Sequence, residues 1–339
     1  MRILHLLASP FWSGPAELVA YLALEQRALG HEVTVAVDRK RAGGAAEEPI
    51  VPRLKDLGLL DEGGLELSVK SLPWQLVRDA ARLRKRKVDV VHSHFSHDHL
   101  LASLARPRGA RLVRSVHAER SLRRSLPWAD AYTVPSPELL RRLVRMRLPR
   151  AMVLPPLVGP EFAPAQDRAA LRSALGLSAG PWVGMVSTFQ PSRRHGLGLT
   201  AFARLRARVP EARLALVGDG ALEAEIRAQV AALGLSEAVT FAGYQSGAAF
   251  VRWLQALDEV WVLGLGNDHS GRAAAQARAC GVRVLAVDEG GLSSLADVIV
   301  EANPDSIADA ALSGERREVA LASNRAIAGS VLSLYEGGT

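Results

Sequence analysis

The sequence predicts an α/β protein of two domains, each a parallel β-sheet wound by helices on both faces. The chain has 339 residues, too many for one ordinary domain and suited to two of about 150. Short apolar runs alternate with helical stretches along both halves, which is typical of doubly wound sheets. Four prolines in VLPPLVGPEFAP (153–164) interrupt this alternation once and predict an interdomain linker.

The first half contains five apolar runs that predict strands and four amphipathic stretches that predict helices. The opening strand stops at Ser9-Pro10, Gly30 ends the first helix, and a loop is expected over 41–49. In chain order, the strands are MRILHLL, HEVTVAV, VDVVHSH, RLVRSVH and AYTVPS, and the helices are Glu17–Leu29, Trp74–Lys85, one beginning at His99, and Pro137–Arg147.

The same alternation restarts after the linker and predicts a second sheet. Its strands are WVGMVSTF, RLALVGDG, VTFAGY, EVWVLGL and VRVLAVD, and its helices cover about 197–208, 221–233, 247–257 and 271–280. A final helix is expected over Glu315–Tyr335. The predicted domains are therefore 1–155 and 156–318, with a C-terminal helix in 319–339 packing back on the first domain. Ligands of open α/β sheets bind at the strand carboxyl ends, so a central cleft between the two sheets is expected.

The two halves differ in charge. Residues 1–150 hold 26 Lys and Arg against 16 Asp and Glu, a net of +10, whereas residues 151–339 hold 16 against 19. The basic runs RLRKRK (82–87) and RRLVRMRLPR (141–150) fit two interpretations: solvated helix faces, or attraction to an anionic membrane or acidic glycan. The aromatic and recognition motifs of nucleic-acid binding are missing from the sequence, so no nucleic-acid partner is expected.

Targeting signals and cysteine usage favour a cytoplasmic protein. The N-terminal apolar run is too short for a secretory signal, and no run approaches the length of a membrane span. The lone Cys280 excludes an internal disulfide and fits a reducing compartment. Peripheral association with the inner face of the membrane is the expected alternative.

The segment Gly264–Leu292 carries the clearest ligand-binding pattern in the chain. It predicts a loop, a helix, a short strand and a Gly-Gly turn, with Asp268 and Gln276 eight residues apart around Gly271. Free N–H groups at the start of a helix suit a phosphate or diphosphate. The two polar side chains would then hold a sugar on one side and a ribose on the other.

Four motifs give the chain a resemblance to a known family. They are GPAELVAYLALEQRALGHEVTVAV, the linker VLPPLVGPEFAP, ALVGDGALEAEIRAQVAALGLSEAVTFAGY (215–244) and ARACGVRVLAVDEGGL (277–292). Together they resemble retaining glycosyltransferases of the family 4 type, over about residues 1–335. That resemblance implies the GT-B fold, in which the second domain binds a nucleotide diphosphate sugar and the first binds the acceptor.

The resemblance also implies site residues, some of which depart from the family pattern. The first glycine loop corresponds to Gly14 and Pro15, and the sugar-contacting histidine to His117. The cationic pair that neutralises the leaving diphosphate corresponds to Thr188 and Arg193, so one cation is replaced. Arg194 lies next to Arg193 and keeps positive charge nearby.

The acidic pair of the family corresponds to Asp268 and Gln276, so one carboxylate becomes a neutral amide. Asp268 would hold the donor sugar and Gln276 the ribose. Arg272 stands where the family has a proline, and we expect this cation to face the diphosphate and compensate for Thr188. The remaining expected donor contacts are Gly218, Ser270, Gly271, Gly290, Gly291 and Leu292.

The run HSHFSHDH holds four histidines and an aspartate and suggests a metal cluster. It lies at the end of a predicted buried strand, and the family often has His-x-His here without metal. An acceptor-site or packing role is therefore favoured, and neither a metal nor another cofactor is expected. The sequence has neither a GxGxxG turn after the first strand of each half nor a GxSxG elbow, which argues against nicotinamide enzymes and serine hydrolases.

The predicted function is transfer of a sugar, with retention, from a nucleotide diphosphate sugar to a lipid-linked or cell-envelope glycan. The altered positions Pro15, Thr188 and Gln276 keep open an alternative: a non-catalytic relative that binds nucleotide sugars or joins a glycan-synthesis complex.

Overall fold

A computed structural model describes residues 1–39, 48–68, 72–122, 128–148, 150–265 and 271–337. The chain divides into two compact units, one of Met1–Leu157 with Ala322–Thr339 and one of Val158–Leu321. Most of the loop expected over 41–49 lies outside the described residues.

The first unit is a six-stranded parallel sheet with strand order β2-β1-β3-β4-β5-β6. Its elements are β1 (Arg2–Leu7), α1 (Gly14–Ala28), β2 (Glu32–Val37), α2 (Ile50–Asp56), α3 (Pro73–Arg84), β3 (Val90–Ser93), α4 (Ser96–Ala105), β4 (Arg111–Ser115), a 3₁₀ turn (Glu119–Ser121), β5 (Ala131–Val134), α5 (Pro137–Arg145) and β6 (Ala151–Val153).

Alternate residues of the central strands enter two separate apolar cores, because helices cover both faces of this sheet. Ile3 and Leu7 of β1 pack with the buried face of α1, whereas Leu4 and Leu6 pack on the opposite side with Ala102 of α4. Burial on both faces explains why the strands read as continuous apolar runs in the sequence.

The second unit is also a six-stranded parallel sheet, with strand order β12-β11-β10-β7-β8-β9. Its elements are α6 (Arg168–Ala174), β7 (Trp182–Val186), a 3₁₀ turn (Pro191–Arg193), α7 (His195–Arg208), β8 (Arg213–Val217), α8 (Glu223–Ala232), β9 (Val239–Gly243), α9 (Gly247–Ala256), β10 (Glu259–Val262), α10 (Arg272–Ala279), β11 (Arg283–Val287), a 3₁₀ turn (Leu292–Ser294), β12 (Val298–Val300) and α11 (Pro304–Ser313). The prediction of two parallel, doubly wound sheets is confirmed.

The prediction of one helix over Glu315–Tyr335 is wrong in its first half. The last helix, α12, covers Asn324–Glu336, and the Ser323 side chain caps it by accepting from the Ala326 amide at 3.2 Å. The preceding segment belongs to the second unit as far as Leu321, and bonds within that unit hold it in a non-helical path: the Arg317 amide donates to the Asp297 carbonyl, and Arg283 donates to the Glu315 carbonyl. α12 packs against α1 in the first unit.

Short elements account for the other differences from the sequence-based expectation. The sequence pattern missed α2, α6, α11, β6 and β12, and the helix expected from His99 begins at Ser96. Strands of three residues and helices of seven are too short to establish a period, so local sequence carries little signal for most of them.

Each sheet has one point at which the chain reverses its direction of winding. In the first unit β1 is flanked by β2 and β3, and in the second unit β7 is flanked by β8 and β10. Loops that follow the two central strands diverge at such a point and leave room for a ligand. In the described part of the chain, no helix combines the length and the hydropathy needed to cross a membrane.

Candidate functional site

The switch point of the second sheet carries a cationic turn. Thr188 follows β7 and is exposed, whereas Arg193 and Arg194 are half-buried at the start of α7. Arg194 adopts the left-handed conformation (φ 55°, ψ 41°), which ends the 3₁₀ turn and starts the helix. Its Nη1 atom is buried and has no hydrogen-bond partner among the described residues. A buried guanidinium nitrogen in this state fits an anionic ligand.

The loop after β10 lies directly against this turn. The Leu265 amide donates to the Ser192 carbonyl at 2.7 Å, and a methyl group on Gly264 would lie 3.4 Å from Arg193 Nη1. The predicted residues Asp268 and Ser270 follow in the sequence and lie outside the described residues. The structure therefore brings Arg193 next to Gly264 and Leu265, the last described residues before them.

Gly218 fixes the neighbouring loop, which follows β8. Its φ of +144° is a conformation that other residues rarely adopt, and a methyl group there would overlap the Ser187 carbonyl. The Gly218 amide donates to the Gly243 carbonyl at 2.9 Å, and the Phe189 amide donates to the Asp219 carbonyl at 2.6 Å. Glycine is thus required for the close packing of this loop on the residues just before Thr188.

Helix α10 begins at the other side of the switch point. Gly271 caps it with φ +55°, and its Cα lies so close to Leu295 that a methyl group would overlap that side chain. Arg272 is exposed at the first helical position, whereas Gln276 is only 2% exposed. Among the predicted contacts, Arg272 is thus placed at a helix N-terminus open to solvent, and Gln276 is placed in a buried position.

The Gly-Gly turn follows β11 at the same edge of the sheet. Gly290 has φ +58°, Gly291 is buried, and Leu292 is fully buried at the start of its 3₁₀ turn. Leu292 also lies beside Gly271, since a methyl on that glycine would be 3.5 Å from Leu292 Cδ2. The two glycine segments predicted from the sequence are therefore packed together.

His195 is a further candidate that the sequence reasoning missed. It is 2% exposed, its Nε2 atom lies 3.4 Å from Ser187 Oγ, and its Nδ1 atom has no partner among the described residues. Burial, with a smaller effect from the charge of Arg193, lowers its pKa to about 4. The available sequence signal was its place in RRH, at the start of a helix after a central strand.

The switch point of the first sheet carries a cluster of histidines. His94 follows β3 and His117 follows β4, and His94 Nδ1 lies 3.3 Å from His117 Nε2. His94 Nε2 lies 3.0 Å from Nδ1 of His5, a residue of β1. Burial lowers the pKa of His5 and of His117 to about 4, and lowers that of His94 well below the ordinary value. These imidazoles are therefore neutral at physiological pH.

Two residues from distant parts of the chain complete this cluster. Gln26 of α1 lies 2.9 Å from His5 Nε2 through its Oε1 atom, and its Nε2 atom donates to the Tyr335 hydroxyl at 3.1 Å. The same hydroxyl lies 2.6 Å from His92 Nδ1. Sequence reasoning missed His5, Gln26 and Tyr335, because nothing in the local pattern distinguishes them from core residues.

The metal cluster suggested by HSHFSHDH is not assembled from that run alone. Among the described residues, the one group with convergent ligand atoms joins His92 and His94 to His5, with nitrogen atoms within 4.8 Å of one another. Both ring nitrogens of each of these histidines already lie within hydrogen-bonding distance of protein groups. His99 points elsewhere, with Nδ1 2.9 Å from Ser93 Oγ.

Asp98 anchors the loops around this cluster. It is fully buried and accepts from the backbone amides of Ala8, His94 and Phe95 at 2.9–3.1 Å. Burial outweighs these bonds and raises the pKa of its carboxyl to about 7. The predicted contact Gly14 is the first residue of α1, where Pro15 leaves one fewer amide available.

The predicted site residues thus form two groups. Gly14 and His117 belong to the first unit, at loops that follow β1 and β4. The others belong to the second unit, where the described ones lie in loops or helices that follow β7, β8, β10 and β11: Thr188, Arg193, Arg194, Gly218, Gly271, Arg272, Gln276, Gly290, Gly291 and Leu292.

Two doubly wound parallel sheets, each with polar groups at its switch point, are the architecture expected of the GT-B class. Two family profiles match this chain: Glycosyltransferase Family 4 over residues 12–162 and Glycosyl transferases group 1 over residues 167–311. The chain belongs to this family of glycosyltransferases, as its motifs predicted.

Several curated bacterial relatives match part of the chain. A D-inositol 3-phosphate glycosyltransferase from Stackebrandtia nassauensis is 36% identical over 46% of this chain and 38% of its own length. The protein of the same description from Nocardia farcinica is 30% identical over 69% of this chain and 59% of its own. A GDP-mannose-dependent alpha-(1-6)-phosphatidylinositol monomannoside mannosyltransferase from Mycolicibacterium smegmatis is 33% identical over 57% and 56%. The matches thus span about two fifths to three fifths of these relatives.

Solved structures support the same fold over the whole chain. Anabaena HepE in complex with UDP has a TM-score of 0.74 at 17% identity, covering 99% of this chain and 95% of that one. Sucrose-phosphate synthase from Thermosynechococcus elongatus has a TM-score of 0.69 at 19% identity, covering 99% of both. The GT-B architecture predicted from the sequence is therefore confirmed.

Proposed function

We propose that this protein transfers a sugar from a nucleotide diphosphate sugar to a lipid-linked or cell-envelope glycan, with retention of anomeric configuration. The observation that carries the proposal is the cationic turn at the switch point of the second sheet. There the Nη1 atom of Arg194 is buried without a partner among the described residues, beside Arg193. This arrangement matches the need of a leaving diphosphate, which develops negative charge as its bond to the sugar breaks.

In the proposed reaction, the bond between the anomeric carbon and the diphosphate oxygen breaks, and its electron pair leaves with the diphosphate. The acceptor hydroxyl oxygen forms the new bond on the same face, and its proton passes to the diphosphate. Arg193, Arg194 and the exposed Arg272 would stabilise the leaving group together with the backbone amides of Ser270 and Gly271. With these cations in place no metal ion is needed, so activity is expected to withstand a chelator.

The other predicted contacts keep their proposed roles. Asp268 would hold the donor sugar, Gln276 the ribose and His117 the sugar hydroxyls, while Gly218 and Gly290 to Leu292 would supply backbone contacts around the donor. Gly14 would approach the diphosphate and the acceptor. The names of the curated relatives, which include inositol phosphate and phosphatidylinositol mannoside acceptors, support a phosphorylated polyol or a lipid-linked glycan as the acceptor class.

The donor site is tested by binding. A thermal-shift panel of UDP-, GDP-, ADP- and dTDP-sugars identifies the donor, and a hydrolysis assay on the binder follows. Arg194→Ala is expected to weaken donor binding by about tenfold or more, the loss of one charge-assisted hydrogen bond of about 1.5–3 kcal/mol. Arg206→Ala, at the opposite end of α7, is the matched control. Equal affinity of both variants, or no shift with any donor, would contradict the proposal.

Peripheral membrane association belongs to the same proposal. Helices α3 and α4 pack together and expose Trp74 (52%), Val77 (68%) and Leu104 (64%). Arg78 lies 5.5 Å from the ring of Trp74, and Arg84 donates to the Leu104 carbonyl at 2.8 Å. We call these five residues the α3–α4 surface. Exposed apolar groups mixed with arginines suit the interface of an anionic bilayer.

Sedimentation with phosphatidylglycerol and phosphatidylcholine vesicles tests this surface. Binding to the anionic vesicles is expected, and Trp74→Ala should reduce it several-fold. Trp128→Ala removes a similarly exposed tryptophan (60%) from a loop before β5 and should leave binding unchanged. Equal loss in the two variants, or equal binding to both lipids, would contradict the assignment.

A non-catalytic nucleotide-sugar binder is the second candidate. The neutral, buried Gln276 and the exposed Thr188 in place of a cation favour it. Donor binding without hydrolysis, and without transfer to cell-extract acceptors, would select this candidate over the enzyme.

A further inference from the structure

A continuous chain of buried polar groups runs through the first unit. It links His117 to His94 (3.3 Å), His94 to His5 (3.0 Å), His5 to Gln26 (2.9 Å), Gln26 to Tyr335 (3.1 Å), Tyr335 to His92 (2.6 Å), His92 to Ser115 (2.9 Å) and Ser115 to Thr133 (2.7 Å). Every group except His117 is nearly or fully buried. Each internal group of the chain lies between two hydrogen-bonding partners. The position of the proton in one hydrogen bond therefore determines which group donates in the next.

One contact decides the direction of the whole chain. The Gln26 amide nitrogen donates to the Tyr335 hydroxyl at 3.1 Å, and the same hydroxyl lies 2.6 Å from His92 Nδ1. Because the hydroxyl oxygen accepts from Gln26, its own proton is donated to His92 Nδ1. With its nitrogen on Tyr335, Gln26 presents its carbonyl oxygen to His5.

The remaining protons follow in order. His5 donates from Nε2 to Gln26, so its Nδ1 accepts from His94 Nε2. His94 Nδ1 then accepts from His117 Nε2. On the other arm, His92 accepts at Nδ1 and donates from Nε2 to Ser115. A neutral imidazole carries one proton, so all four histidines hold theirs on Nε2. The reversed chain would place all four on Nδ1.

We propose that Gln26 and Tyr335 are positioning residues that hold His117 as the Nε2–H tautomer, so that its Nδ1 lone pair accepts a hydroxyl group of the bound sugar. This inference rests on the proposed function, since His117 is assigned to the sugar there. According to this inference, Gln26 of α1 and Tyr335 of α12 determine how His117 contacts the sugar. In the opposite tautomer, the Nδ1 atom of His117 would carry a proton. It would then have no lone pair to accept the proton of the sugar hydroxyl.

The wild-type protein gives the first test and needs no substrate. Two-bond ¹H–¹⁵N correlation spectra distinguish protonated from unprotonated ring nitrogens, and His→Gln variants assign the signals among the nine histidines. Near neutral pH we expect His5, His92, His94 and His117 all to carry the proton on Nε2. An Nδ1–H form of His117, or a mixture, in the wild-type protein overturns the proposal.

Tyr335→Phe tests the two positioning residues. Without the hydroxyl, either end of the Gln26 amide faces the phenyl ring, so its two orientations become similar in energy. His117 should then populate both tautomers, and kcat/KM for donor hydrolysis or transfer should fall about twofold, because an even mixture leaves half the molecules competent. Tyr132→Phe is the matched control: this tyrosine is also buried, but its hydroxyl accepts from the Ala129 amide, outside the chain.

An unchanged His117 tautomer in Tyr335→Phe contradicts the proposal, and so does an equal change in Tyr132→Phe. The wild-type protein could carry all four protons on Nε2 and yet bind no sugar nucleotide of the donor panel. That outcome would contradict the proposed function and, with it, the role given to the Nδ1 lone pair of His117. The two failures are thus read from different measurements.

Discussion

Mild acid should destabilise the first unit through its buried histidines. Lowering the pH from about 7.5 to about 5 protonates histidine in the unfolded chain, where its pKa is near 6.5, but not His5 in the fold, where it is about 4. Burial also lowers the pKa values of His92 and His94 well below the ordinary value. Because the pKa of each of these histidines is lower in the folded than in the unfolded protein, its contribution to stability is complete above pH 6.5. That contribution is lost as the pH falls toward 4.

The magnitude follows from the difference in proton uptake. At about pH 5, His5 and His117, whose folded pKa values are about 4, each cost about 2 kcal/mol of unfolding free energy, about 4 kcal/mol together. The lowered pKa values of His92 and His94 add to this loss. Asp98 acts in the opposite direction, because its folded pKa of about 7 lies above the ordinary 3.8, and it returns about 2.5 kcal/mol over the same interval. A net loss of more than about 1.5 kcal/mol is therefore expected.

Urea titrations read by hydrogen–deuterium exchange would measure this loss separately in each unit. Peptides from β1 and β3 report on the first unit and peptides from β8 on the second. Among the buried histidines of the described residues, His195 alone belongs to the second unit. The unfolding free energy of the second unit should therefore fall by about 2 kcal/mol. A first unit whose stability is constant or rises between about pH 7.5 and about pH 5 would refute the reasoning.

Three further predictions concern single side chains. Gly218→Ala should destabilise by more than about 3 kcal/mol in urea unfolding, because it adds a backbone clash to a disfavoured φ, whereas Gly243→Ala, at φ +69° in open space, should cost about 1. Arg283→Met should lower the unfolding free energy by about 3–5 kcal/mol, because it removes the cation paired with the buried carboxylate of Glu259. Arg227→Met breaks an exposed ion pair and should lower it by less than about 1 kcal/mol. Equal losses in the two variants would contradict this. Cys280 should react with a thiol reagent about 100-fold more slowly in the folded protein than in urea, since burial raises its pKa from 9.0 to about 11; a similar rate in both states would be inconsistent with that burial.

Periodicity and turn chemistry were enough to predict the fold class. The strands β1, β8 and β11 are buried on both faces, so their apolar runs stand out without any knowledge of their neighbours. The helix over Glu315–Tyr335 was placed wrongly because its first half is held non-helical by bonds to Asp297 and Arg283 within the second unit, and those bonds have no local signature.

The candidate site was predicted in part. Arg193, Arg194, Gly218 and Gly271 lie in loops or at helix starts after central strands, positions that the order of elements reveals, and their proposed roles stay predictions. His195 was missed because a histidine beside two arginines reads as one more polar residue of a turn. Its burial becomes visible only when Phe189 packs against its ring, with centroids 4.9 Å apart.

The sequence by itself determined the two parallel sheets, the family and the loops that carry the candidate ligand contacts, because all of these depend on short-range patterns. The histidine chain was decided only by the tertiary structure. His92 meets Tyr335 across 243 positions and Gln26 meets it across 309, and no local period reports such contacts. Folding brings α12 against α1 and so places the one hydroxyl that, in the proposed chain, sets the proton on His117.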